Sequence, residues 1–86
     1  MLTSKKGEAG ARDIQDWANG IAKQMDEKVS VEVLHDADSS GYLLRLIKGA
    51  RVLLFRLSEA QIHGPGRELE CERTLRRKIK DLWSLI

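Results

Sequence analysis

Asp36, Asp38 and Ser40 place oxygen-bearing side chains at alternate positions, followed by Gly41, as the opening of a calcium-binding loop does. Such a loop closes with a bidentate acid at its twelfth position, and here that position is Ile47. Both flanks read as strands rather than helices, so the segment is expected to be a polar hairpin loop with Asx-type turns. His35 stands beside these acids, but His63 falls in a different loop and no cysteine lies at a ligand-like spacing. Each histidine is therefore read as a surface residue. Cys71 would need a nearby histidine and a depressed pKa to act as a nucleophile. Glu70 and Glu72 flank it, and it falls on an apolar helical stripe, which predicts a small core filler. Gly64-Pro65-Gly66 lacks the further glycine and the lysine of a phosphate-binding loop, and no serine stands in a nucleophile-elbow context. The residues assemble no catalytic constellation. The expectation is a non-enzyme with no metal, no cofactor and no small-molecule substrate.

The strongest polar signal is basic. Arg73, Arg76, Arg77, Lys78 and Lys80, with Arg67 ahead of them, lie on one C-terminal helix and could form an edge that binds nucleic-acid phosphates. Glu72 precedes Arg76 by one helical turn, Glu70 precedes Arg73, and Asp81 follows Arg77, so internal pairing is expected to absorb part of this charge. Acids early and bases late also suit the helix dipole. The net charge of +2 hides an uneven distribution. Residues 1–43 carry five Lys/Arg against eight Asp/Glu, and residues 44–86 carry ten against five.

The elements that must position these residues follow from hydrophobic period. Residues 1–10 hold no apolar repeat and read as a flexible tail, leaving residues 11–86 as one domain. From Arg12, Ile14, Trp17, Ile21 and Met25 recur at steps of three and four, with Ala18 and Ala22 on the same stripe. Val29, Val31 and Val33 then alternate with polar residues as a strand ending near Leu34. Tyr42 to Ile47 and Arg51 to Leu57 form two more strands about a Lys48-Gly49 turn. Ser58-Glu59-Ala60-Gln61 fits a capping box and starts a short helical turn. The last helix runs from about Arg67, with Cys71, Leu75, Ile79, Leu82 and Ile86 on its stripe and Leu69, Trp83 and Leu85 beside it. The fold class is α+β in the order α-β-β-β-α: a three-stranded antiparallel meander with two helices on one face. This order is similar to that of double-stranded-RNA-binding domains, which meet phosphates with the opening of the last helix and with a hairpin loop. Here those places carry Glu68 and Glu70, and Asp36 and Asp38, whose sign is wrong for phosphate.

A single cysteine excludes a disulfide scaffold, and no stretch is long and apolar enough for a membrane span. A cytoplasmic protein is expected. With a two-residue turn at Lys48-Gly49, one sheet face carries Tyr42, Leu44, Leu46, Leu53, Phe55 and Leu57 and belongs under the helices. The other carries Leu43, Arg45, Ile47, Val52, Leu54 and Arg56, too apolar for ordinary solvent and too charged for a dry core. That surplus favours binding over chemistry. The expected function is a small protein-binding module that uses this face toward a protein partner or a second copy. The alternative is nucleic-acid binding by the basic C-terminal helix.

Overall fold

The computed structural model describes residues 2–85. Its elements are α1 (Gly7–Met25), β1 (Ser30–Asp36), β2 (Gly41–Lys48), β3 (Arg51–Ser58), α2 (Glu59–His63) and α3 (Glu68–Trp83). The strands form one antiparallel sheet in the order β1-β2-β3, giving the expected α+β meander. Among the described residues, no helix is long and apolar enough to cross a membrane.

The core is a single layer between the helices and one sheet face. Ile14, Ala18, Ile21 and Ala22 of α1 and Cys71, Leu75, Ile79 and Leu82 of α3 are buried against Val31, Val33, Tyr42, Leu44, Leu46, Phe55 and Leu57. Trp17, Met25 and Leu53 pack at its margin. Each fully buried Leu or Ile contributes roughly 1.5–3 kcal/mol relative to exposure, so these stripes carry the fold. Leu69, Trp83 and Leu85 lie off the α3 stripe and are exposed. Ile86, expected to end that stripe, lies outside the described residues.

Helix α1 begins at Gly7, inside the segment that reads as a tail, and not at Arg12. Residues before it are tied down by polar contacts that no apolar period announces. The Leu2 amide donates to the Ile62 carbonyl, and the buried Thr3 hydroxyl donates to Asp13 while accepting from the Lys5 amide. Gly10 lets this segment cross closely. A Cβ there would stand 2.7 Å from both the Lys5 carbonyl oxygen and the Tyr42 hydroxyl.

A row of polar side chains fastens α1 beside β1. Gln15 Oε1 accepts from the Val33 amide at 3.0 Å, and Asn19 both accepts from the Val31 amide and donates to its carbonyl at 2.9 Å. Lys23 Nζ donates to the Val29 carbonyl at 2.9 Å. Four helical residues rise about 6 Å, close to the span of two strand residues, so the steps 15, 19, 23 match 33, 31, 29. The outer edge of β1 is thereby closed by its own chain.

The β2–β3 hairpin corrects the expected register. The two turn residues are Gly49 and Ala50, with Lys48 opposite Arg51, Ile47 opposite Val52, Arg45 opposite Leu54 and Leu43 opposite Arg56. Gly49 has φ +59, the left-handed value that the first position of a type II′ turn requires, and Lys48 cannot supply it cheaply. The slip is by two residues, so the face of every side chain is unchanged. The capping box at Ser58 is present in full: its hydroxyl accepts from the Gln61 amide, and Gln61 Oε1 accepts from the Ser58 amide.

Replacing Asn19 with alanine removes both partners of the Val31 peptide group. It should lower unfolding free energy by about 1–3 kcal/mol in urea titration, against a few tenths for an exposed alanine substitution such as Gln24→Ala. Gly10→Ala should cost about as much through the contact with the Lys5 carbonyl.

Candidate interaction surface

The second sheet face is uncovered by either helix. Reading across the strands, it presents Leu34, Leu43 and Arg56 in one row, Glu32, Arg45 and Leu54 in the next, and Ser30, Ile47 and Val52 in a third. Leu34 is 61% exposed, Leu54 55% and Val52 45%, while Leu43 and Ile47 are half-buried among them. All six residues expected on this face are brought together there. Leu34 and Glu32 complete it. Their place was readable from the alternation of Val29, Val31 and Val33, which sends the intervening residues to the opposite side.

The two arginines are held within the chain. Arg56 Nη1 donates to Asp36 at 2.7 Å and to the Ser39 hydroxyl at 3.0 Å. Arg45 lies 3.6 Å from Glu32, its direct neighbour across the β1–β2 ladder. Asp36 is the centre of this arrangement, because its other carboxylate oxygen accepts from the Asp38 and Ser39 amides. The bond from Arg56, then that from Ser39, pulls the Asp36 carboxyl down to about 2. The segment that resembles the opening of a calcium loop is thus an Asx turn between β1 and β2, its first acid occupied by an arginine.

The chain matches no known protein family, curated protein or solved structure.

The remaining candidates are distributed differently from one another. On α3, Glu72 accepts from Arg76 at 3.0 Å, as the spacing predicts, and Arg76 reaches Gln24 as well. The other two expected pairs, Glu70 with Arg73 and Arg77 with Asp81, are absent among the described residues, where Arg73, Arg77, Lys78 and Lys80 make no ion pair. Arg73, Arg77 and Lys80 are exposed on the helix side opposite its buried stripe. The two histidines are half-buried, contrary to the surface placement expected of them. His35 packs against Tyr42 with the rings tilted at 55° and their centres 5.3 Å apart, and lies 3.6 Å from Glu59. His63 Nδ1 meets the Thr3 carbonyl at 3.1 Å. Cys71 is buried, and its thiol donates to the Gln61 carbonyl at 3.4 Å. Burial and then Glu70 push this thiol up, which keeps it protonated and unreactive.

The Asp36 carboxyl sits below its ordinary 3.8, so its pairing with Arg56 is fully formed above about pH 4 and is lost as pH falls through about 2. An NMR titration of the side-chain carboxyl should give an apparent value near 2. In Arg56→Gln it should move toward 3.8, with the Ser39 and Asp38 amides retaining part of the depression.

Proposed function

We propose that this chain is a small, non-enzymatic protein-binding module whose contact surface is the open sheet face. The observation that carries the reading is the exposure of Leu34 on β1 and of Val52 and Leu54 on β3, bridged by the half-buried Leu43 and Ile47 of β2, on a face that no described element covers. Isolated exposed leucines are normal on a folded surface, but a contiguous set bordered by charge has the composition of an interface core and rim. Because Arg56 and Arg45 are already met by Asp36 and Glu32, a partner need not supply buried countercharges. The arginine stems widen the apolar floor, while guanidinium N–H groups not facing the acids remain for acceptors on the partner. A cytoplasmic setting accords with the one cysteine, unpaired and buried.

The alternative reading, nucleic-acid binding by α3, draws on Arg73, Arg77, Lys78 and Lys80, which no ion pair restrains among the described residues. Arg76 contributes less because Glu72 engages it. The open face offers a larger desolvation gain, so protein binding is the preferred function.

The double substitution Arg45→Glu with Leu54→Ser should leave the circular dichroism and cooperative unfolding intact. Partner capture from nuclease-treated lysate of the source cell should then fall at least tenfold relative to the unaltered chain. Unchanged capture by a folded double variant would overturn the reading. The nucleic-acid alternative expects duplex affinity that falls by roughly 0.9 log units per log unit of salt for each phosphate contact. It is rejected if no binding is found at low salt.

A further inference from the structure

The two edges of the sheet are unequal. On β1 the outward peptide groups of Val31 and Val33 are taken up by Asn19 and Gln15. On β3, among the described residues, no hydrogen bond from outside the sheet reaches the outer edge between Val52 and Leu57. The directions of those groups follow from the hairpin. Lys48 and Arg51 flank a two-residue turn and form a bonded pair, so Leu53, Phe55 and Leu57 point their peptide groups inward. Val52, Leu54 and Arg56 therefore aim theirs outward. The same alternation, carried across β2, sends the Val31 and Val33 groups toward α1, where their bonds are found. An unpaired edge of this kind is a template for another strand. β3 has no proline, and between Arg51 and Arg56 it is uncharged from Val52 to Phe55.

We infer that a second copy of this chain pairs with the outer edge of β3, antiparallel and about a two-fold axis at Leu54, extending the sheet to six strands. This rests on the reading of the chain as a binding module and assigns a second copy to the sheet edge, which leaves the open face exposed. Three features select a second copy over an unrelated strand. First, Leu54 is the midpoint between Arg51, where β3 starts, and Leu57, next to the Ser58 cap of α2, so self-pairing uses the full usable strand. Second, the exposed Leu54 meets its own counterpart, and Val52 meets the stem of Arg56, whose charge Asp36 already holds. Both open faces then join on one side of a continuous sheet. Third, antiparallel pairing brings the cationic Arg51 end of one copy to the Glu59 end of the other and places no arginine opposite another. A seam of one strand buries less than the roughly 1,200–2,000 Å² of a stable interface, so the dimer forms and separates with concentration.

The test combines sedimentation velocity with amide hydrogen exchange on the intact chain across a wide range of concentration. A monomer–dimer equilibrium is expected. The Val52, Leu54 and Arg56 amides should exchange at least tenfold more slowly in the dimer than in dilute monomer. Leu54→Pro removes one outward N–H without breaking an internal bond, and it should fold as a monomer at every concentration. A wild-type chain that stays monomeric throughout overturns the inference, and so does a dimer whose three amides exchange equally in both states. Failure of the open-face reading is seen separately through Arg45→Glu alone, which lies on the central strand and should leave this dimer within about twofold.

Discussion

The match in step between α1 and the edge of β1 is the constraint on which the rest of the structure depends. Gln15, Asn19 and Lys23 repeat at the helical interval that equals two strand residues, so one helix satisfies successive outward peptide groups of the strand. A buried or half-buried peptide group without a partner costs about 1–3 kcal/mol, which gives the alignment a strong preference over sliding or rotation. Once it is set, Ile14, Ala18, Ile21 and Ala22 can face only the sheet side that holds Val31 and Val33. The helix becomes both a lid over the core and a stop at one sheet edge.

Everything left uncovered follows from that placement. Among the described residues, the helices cover one sheet face and no third layer lies on the other. α3 fills the remaining space on the same side, with Cys71, Leu75, Ile79 and Leu82 inward, and α2 turns the chain between β3 and α3 while burying Ile62 in the core. At the far end, Asp26 joins the three layers of sequence: Lys48 Nζ lies 2.6 Å from its carboxylate and the Trp83 indole donates to it at 3.1 Å. The Lys48 bond, before the others, holds the Asp26 carboxyl below its usual value. The end of α1, the end of β2 and the end of α3 are thus tied together on the covered side, leaving the open face clear.

Hydrophobic period made the element order, the core stripe of each helix and the face of every residue on β2 and β3 readable. The face assignment survived a wrong turn position because a slip of two residues conserves parity, whereas a slip of one would have inverted it. What could not be read was polar and long-range. Thr3 and Asp13, Asn19 and Val31, and Asp36 and Arg56 are separated along the chain, and no local pattern says that they meet. The basic cluster on α3 shows the same limit. Spacing predicted its three ion pairs, and only Glu72 with Arg76 forms, because one helical turn permits a bond without requiring it.

The ion pairs of the open face decide what kind of surface it is. Two free guanidinium groups among five aliphatics would demand carboxylates from any partner, since an unpaired buried charge costs far more than the apolar contact returns. With Asp36 on Arg56 and Glu32 on Arg45, that demand is met inside the chain before any encounter. In the proposed binding role, Leu34, Leu43, Ile47, Val52 and Leu54 would set the affinity through area and shape, and the charged pairs would set register by where they forbid close packing. Such a surface suits a partner that is itself apolar and neutral at the centre.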